Sequence, residues 1–492
     1  MSDAKAYDLI VKNARVVRPY KQSVDLLDIG IKGGKFAKLA PELAASDAHE
    51  VFDAKGLLAF PGVVDAHMHT GIYNPLAEDA RSESRAAAMG GVTSSINYMR
   101  TGQYYMNKSG PYRTFYPEVL QESEGNFHVD YAYHLAPMMK EHISEIPELI
   151  EKFGVTSFKI FMFYGQHGLH GRSADQSSFL MTPPEERYDF AHFEFIMRGI
   201  KAAMDKFPEK RDVISCSLHC ETAEIMTAYT KIVEEEGKYE GLRAYHLSRP
   251  PHSEGLAIAI ASYLAYETEC VNINLLHLSS RKALDSAGRM ALAFPHINFR
   301  KEVTIGHLLL DVDAPCGCHA KVNPPIRPRE DVEALWEAVL DRQVDWICSD
   351  HACCREEMKV DNKQPDKIFL AKSGFGGTEY LLSGLVSEGS KRGMSYNHMA
   401  ELVCGNPAKR YGLEGKGDIA PGKDADLVLV DPTKSFVVNG ADSPSTQGYS
   451  VFEGQELTAT VEQTFLRGKL IYDKGEIVGK ATGRYLPRPY MG

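Results

Sequence analysis

The chain has 492 residues, 43% hydrophobic and 25% charged, with 55 basic against 66 acidic residues and a net charge of −11. That length exceeds what one hydrophobic core usually serves, so more than one structural unit is expected. The acidic balance argues against nucleic acid as a partner, and no run of 18 or more apolar residues offers a membrane span. The start, "MSDAKAYDLIVKNARVV", lacks the basic and then apolar pattern of a secretory signal. Nine scattered cysteines read as reduced thiols of a cytoplasmic protein, because neither "CGCH" (316–319) nor "CC" (353–354) has the second half of a zinc-site spacing.

Residues 1–60 read as short strands and turns: "YDLIVKNARVV", "VDLLDIGIKGGKFAKLA" and "HEVFDAKGLLAF". The other end has the same character in "ADLVLVDP" and "VEQTFLRGKLIYDKGEIV". We therefore expect a small β-sandwich domain built from both termini, residues 1–60 plus 415–492. The middle differs. Eight apolar runs follow one another: "FPGVVDAHMH" (60–69), "VTSSINYM" (92–99), "HVDYAYHLA" (128–136), "VTSFKIFMF" (155–163), "VISCSLH" (213–219), "VNINLLHLS" (271–279), "INFRKEVTI" (297–305) and "VDWICSD" (344–350). Amphipathic helix patterns such as "ESRAAAMG" and "EGLAIAIASYLAYET" lie between many of them. Strands alternating with helices predict a parallel sheet, and eight of them predict a (β/α)8 TIM barrel over residues 61–414.

After the fourth run, Tyr164 opens a long connection, "GQHGLHGRSADQSSFLM" (165–181), before "TPPE". Thr182 as N-cap, Pro183 at N1 and Glu185 at N3 form a capping box, and Phe190, Phe193, Met197 and Ile200 follow at helical spacing. Connections this long usually serve a function, here as a pocket lid or an oligomer contact.

Chemistry gathers where the runs end. His67 and His69 form "HMH", and residues two apart on a strand face the same way. His219, His277 and Asp350 end the fifth, sixth and eighth runs. A single strand-end His is more often structural than a ligand, but five candidates at the same end of four runs would make a nitrogen-and-oxygen metal site. Lys159 in "TSFKIFMFYG" stands out differently: an ammonium inside an apolar strand is costly unless it finds a partner, loses its charge or is chemically altered.

These motifs resemble the amidohydrolase superfamily, and within it the dihydropyrimidinase/hydantoinase-like cyclic amidohydrolases. The likeness runs through "FPGVVDAHMHTG", "SFKIFMFYG", "LHCET", "SRPPHSEGLAIAIA", "LLHLSS", "VNPPIRP", "ICSDHACC", "GFGGTE" and "NPAKRYGLEGKGDIAPGKDADLVLVDP", in that order over nearly the whole chain. The resemblance implies two divalent metal ions, usually Zn2+. His67, His69 and Asp350 would hold one and His219 and His277 the other, with a CO2-derived carbamate on Lys159 bridging both. It further implies that a bridging hydroxide opens a cyclic amide. Asp350 would act as general base and then acid, and Tyr164 would donate to the developing oxyanion. Family members are often homotetramers, so a homo-oligomer (tetramer or dimer) is expected, and the tail "GRYLPRPYMG" is a candidate to reach a neighbour.

Three departures bear on the substrate. Dihydroorotases resemble the pattern HxHxR, where this chain has Gly71. The residue before Pro-Pro in "VNPPIR" is Asn323 rather than the common Ser, and Ser373 stands where an Asn commonly contacts the ring. Hydantoin or dihydropyrimidine is the leading expectation, with allantoin or another cyclic imide as the alternative. Scaffold relatives of this fold lack the metal ligands, whereas all six positions are filled here.

Overall fold

The computed structural model describes residues 5–163, 168–169 and 189–492. Five strands come first: β1 (Tyr7–Val16), β2 (Asp25–Lys32), β3 (Lys35–Ala40), β4 (Ala48–Asp53) and β5 (Leu58–Pro61). The barrel strands are β6 (Val63–Met68), β7 (Val92–Met99), β8 (Asp130–Leu135), β9 (Ser157–Phe161), β10 (Ser215–His219), β11 (Asn272–Leu275), β12 (Asn298–Thr304) and β13 (Trp346–Cys348). Last come β14 (Leu427–Asp431), β15 (Phe436–Val437), β16 (Glu456–Leu457), β17 (Thr460–Leu466), β18 (Lys469–Asp473) and β19 (Glu476–Ile477).

Strands β6 to β13 pair in parallel in chain order, so all eight sequence runs become barrel strands. Their apolar character follows from being covered on both faces; every residue of β7 and β8 is buried. The first and last strands close the ring through a bridge between Met68 and His351, where the His69 N–H donates to the His351 carbonyl at 2.7 Å. Below it, Asp65 accepts from the Ser349 N–H (3.1 Å), the Ser349 hydroxyl (2.5 Å) and the Thr378 hydroxyl (2.8 Å). Helices Leu76–Met89, Lys140–Phe153, Asp189–Lys206, Pro251–Thr268, Arg281–Ala293 and Arg329–Leu340 fill the crossovers. The helix foreseen from Phe190 onward is present from Asp189, with Phe193, Met197 and Ile200 buried. Its proposed capping box at Thr182, Pro183 and Glu185 lies outside the described residues, as do His167, His170 and Arg172.

The two ends of the chain form one sheet with the order β19-β18-β17-β14-β5-β1-β2-β3. β5 is the seam: it pairs in parallel with β1 and antiparallel with β14. The first apolar run therefore splits. Phe60 and Pro61 belong to this sheet and the barrel starts at Val63. The break falls at Gly62, where a Cβ would lie 2.0 Å from Thr93 Oγ1 and 2.7 Å from Asp426 Cβ. A buried charge cluster also joins sheet and barrel: Lys416 reaches Asp130 of β8 (2.6 Å), Asp424 (2.8 Å) and Asp426 (2.9 Å), and Arg467 also pairs with Asp130.

Part of the tail docks on the chain's own barrel. Leu486 N–H donates to Tyr131 O (2.8 Å), Arg488 N–H to Gly154 O (2.9 Å) and Arg488 Nη1 to Ser157 Oγ (2.6 Å). These bonds anchor it at the N-terminal end of the barrel, where Leu486 packs with Tyr411 and Trp346.

Candidate metal centre and active site

The six residues singled out as ligands meet at the C-terminal end of the barrel. His67 is on β6 and His69 just past it, Lys159 is the third residue of β9, and His219 is the last of β10. His277 and Asp350 lie two residues beyond β11 and β13 rather than within them. Both have left-handed backbones, with φ of 36° and 55°. For residues with a Cβ that conformation costs about 1–3 kcal/mol, which surrounding structure must outweigh, and such strain gathers at functional sites.

The nitrogen and oxygen atoms of the cluster converge closely. Nε2 of His67 and His69 lie 3.2 Å apart, and Asp350 Oδ1 is 2.9 Å from the first and 3.1 Å from the second. Lys159 Nζ donates to both rings, at 3.2 Å to His69, and packs 4.5 Å from the Tyr98 ring centre and 4.6 Å from that of Phe161. The His219 and His277 rings pack edge to face 4.3 Å apart, and His277 is 5.6 Å from His67.

Three of the four imidazoles are oriented from behind by a ring hydrogen bond, and His277 is held through its backbone. His67 Nδ1 donates to Glu302 Oε1 at 2.8 Å, leaving Nε2 to face the cluster. The same carboxylate accepts the His277 N–H (3.1 Å) and, through Oε2, the Trp346 indole N–H (2.7 Å). His69 Nδ1 meets the Tyr105 hydroxyl at 2.5 Å. His219 Nε2 donates to Glu221 at 2.6 Å, and Arg249 holds Glu221 in turn through Nε at 2.9 Å.

Electrostatics separate the rings. Burial, followed by Lys159, pulls His69 down to about 3. Burial pulls His219 to about 4 and Lys159 to about 8. Burial also acts against the His67 cation, but Asp350 and Glu302 outweigh it and raise that ring to about 9. Asp350 is held well below the usual carboxylate range: desolvation opposes ionisation, and the two histidines overcome it.

This donor set fits divalent metal ions. Nδ1 of His219 and Nδ1 of His277 are buried with no hydrogen-bond partner, an arrangement native interiors rarely leave. The His67, His69 and Asp350 atoms lie close enough together to share one ion. Imidazole nitrogen with carboxylate oxygen is the ligand chemistry of zinc and its neighbours.

His69, His219, His277 and Asp350 of the cluster line a cleft whose wall also carries Tyr98, Phe161 and Val322. Asn323 and Ser373 sit together on its wall, both donating to Leu169 O, at 2.9 and 3.2 Å. Tyr245 donates to Asn323 Oδ1 at 2.5 Å. Tyr164 lies outside the described residues.

Residues of this site that were not foreseen include Glu302, Glu221, Tyr105 and the cleft-lining Arg100, with Arg249, Trp346 and Tyr245 behind them. Glu302 carried a signal, because an acid inside the barrel run "INFRKEVTI" is the same kind of costly buried charge that drew notice to Lys159. Glu221 follows His219 in "LHCET" and shares its face. Tyr105 and Arg100 sit beyond β7 in a segment without periodicity, which offered no signal.

A barrel with this metal-competent cluster at its C-terminal face is the architecture of a hydrolase. The amidohydrolase family model matches residues 197–471. The chain is 31% identical over 479 residues to an allantoinase of Escherichia coli (strain SE11), covering 95% of this chain and 96% of the relative. It is 31% identical to an allantoinase of Rubrobacter xylanophilus (strain DSM 9941 / JCM 11954 / NBRC 16129 / PRD-1), covering 98% of each. Among solved structures, L-hydantoinase (dihydropyrimidinase) from Arthrobacter aurescens superposes with a TM-score of 0.84 at 25% identity, over 97% of this chain and 99% of that one. The chain belongs to the amidohydrolase family, and it is a hydrolase of the cyclic-amide type.

Proposed function

We propose that the protein opens a ring C–N bond of a hydantoin, a dihydropyrimidine or a related cyclic ureide or imide. Allantoin, itself a hydantoin with a ureido substituent, is included through the relatives of that name. The observation that carries the reading is the convergence of His67, His69, Lys159 and Asp350 beside two orphaned imidazole nitrogens, on His219 and His277.

In this reading His67, His69 and Asp350 would hold one divalent ion and His219 and His277 a second, both Zn2+, and Lys159 as its carbamate would supply them with oxygen ligands. When bound, such ions polarise a carbonyl and bring the pKa of a water to about 7. Asp350, which lines the cleft, takes the proton from the attacking water and returns it to the ring nitrogen as the C–N bond breaks. The carbonyl carbon leaves as a carboxylic acid and the nitrogen as part of an open-chain carbamoyl or amide group. Tyr164 donates to the oxygen that gains charge, and Asn323 and Ser373 position the ring. We read the chain as two units, residues 61–414 for the barrel and 1–60 plus 415–492 for the β domain. We also propose that it works as a homo-oligomer, dimer or tetramer.

The test is metal analysis combined with a ring-opening screen of hydantoins, dihydrouracil, allantoin, dihydroorotate and cyclic imides. About two metal equivalents per chain and turnover of a cyclic ureide are expected. Protein that binds no metal, and gains no activity from added zinc and bicarbonate, would overturn the proposal.

A further inference from the structure

We propose that Lys359 is a positioning residue for substrate: its ammonium ties together the two irregular segments that carry Asn323 and Ser373, and so fixes the cleft wall against which the ring binds. The proposal rests on the ring-opening reading above and adds the group that holds its binding wall in place.

Asn323 and Ser373 line the cleft side by side although 50 positions separate them in the chain. Neither lies in a helix or a strand, so no regular ladder of backbone bonds sets their spacing. One backbone bond does join the two segments: the Gly374 N–H donates to Lys321 O at 2.9 Å. Lys359 reinforces it from both sides. Its Nζ donates to that same Lys321 O at 3.0 Å and to Gly374 O at 2.6 Å. Its own carbonyl accepts the Lys372 N–H at 2.9 Å. One side chain thus grips the residue after Ser373 and the residue two before Asn323. Lys321 extends the clamp, donating to Ala371 O at 2.6 Å and lying 4.9 Å from the ring centre of Tyr245, whose hydroxyl donates to Asn323.

The place that is gripped is also the place where the wall bends. Gly374 has φ of 99°, and a Cβ there would meet Ala352 Cβ at 2.9 Å. The wall therefore passes tightly beside a residue two positions after Asp350. Lys359 is fully buried, and its amine donates to carbonyls rather than to a carboxylate. Burying a cation without an anionic partner is expensive, and burial pulls this amine down to about 8. At pH 7 most of it still carries its charge, and bonds from a charged donor are about twice as strong as neutral ones. A methionine would fill the same space without the cost of a buried charge. What the charge gains is the grip on the two carbonyls.

The test measures KM and kcat separately for hydantoin and dihydrouracil. It uses metal-loaded wild type, Lys359→Met, Lys359→Gln, Ser373→Ala and the double variant Lys359→Met with Ser373→Ala. Lys359→Met should raise KM about tenfold or more while kcat stays within about threefold and the metal content is unchanged. A residue that only supports the fold behaves otherwise, because unfolding a fraction of the enzyme lowers the apparent kcat and leaves KM alone. Lys359→Gln, neutral but with two N–H donors, should fall between wild type and Lys359→Met. Because the lysine acts through the wall, the double variant should raise KM by less than the product of the two single effects. A loss in kcat alone, or fully multiplicative effects on KM, would overturn the positioning role. So would failure of both Lys359 variants to fold, which makes the lysine a stability residue. If the metal-loaded wild type opens neither these rings nor the other cyclic amides, the ring-opening reading itself fails and the role of Lys359 falls with it. If the wild type turns over and Lys359→Met does so with the same KM, only the Lys359 inference fails.

Discussion

Replacing Lys416 with Met tests whether charge balance joins the β domain to the barrel. The ammonium is buried and faces three carboxylates, Asp130, Asp424 and Asp426, at 2.6–2.9 Å, with Arg467 as the second cation on Asp130. Those three acids leave no room for a metal ion, because the lysine already occupies their centre. Met keeps the length and apolar stem but leaves three carboxylates against the Arg467 guanidinium and the part-exposed Lys35 ammonium, 3.4 Å from Asp424. Removing one partner of a buried ion pair costs about 3–5 kcal/mol. The protein can instead bind a proton on one carboxylate. At pH 7 that costs about 1.36 × (7 − 3.9), or about 4 kcal/mol, starting from an ordinary Asp. The two routes agree, so a loss of about 4 kcal/mol is expected at pH 7.

The pH dependence has a definite sign. Burial already raises Asp426, and losing Lys416 raises it further. A carboxylate whose folded pKa is raised contributes its full stability below its unfolded value and loses it as pH climbs through the folded one. The deficit of the variant should therefore shrink to about 1.5 kcal/mol at pH 5 and widen above pH 7. Urea unfolding of wild type and variant at pH 5, 7 and 8, followed by circular dichroism, measures it. Adding Asp426→Asn should restore most of the loss at pH 7. An equal deficit at pH 5 and pH 8, or one below about 1 kcal/mol, would refute the electrostatic account and leave packing as the cause.

Other residues give independent checks. Glu302→Gln removes the charge and replaces one oxygen by an amide N–H, which must face either the Trp346 indole N–H or the His67 and His277 donors. Zinc affinity measured by chelator competition should fall about 10- to 100-fold, with the fold intact by circular dichroism, and unchanged affinity would remove Glu302 from the positioning role. Lys159→Ala should lose metal by elemental analysis and activity together, and a variant with full zinc and full rate would show that the lysine bridges nothing. Gly62→Ala forces a methyl into Thr93 and Asp426 at the seam between sheet and barrel. It should destabilise by about 1–3 kcal/mol, and a wild-type urea midpoint would show that the seam yields freely.

Much of the fold was legible because it is a periodic pattern. Eight apolar runs, many of them followed by a helix pattern, carry much of their burial in their composition, and every one became a barrel strand. The ligand candidates were legible for a related reason: a polar group at the end of an apolar strand, or a lysine within one, stands out against its neighbours. Boundaries between units were less so. Phe60 and Val63 look alike in sequence, and only the clash a side chain at Gly62 would make shows that one run serves two sheets.

What one sequence determines, then, is which residues must be buried and which of them bear chemistry. Partnership was decided by the tertiary structure, since it depends on which strands the closed ring brings side by side. Glu302 reaches His67 across 235 positions of chain, and the tail returns to strands more than 300 residues before it. Tyr105 gained its meaning the same way: nothing in "NYMRTGQYYMN" marks it, because its role comes from the contact with His69.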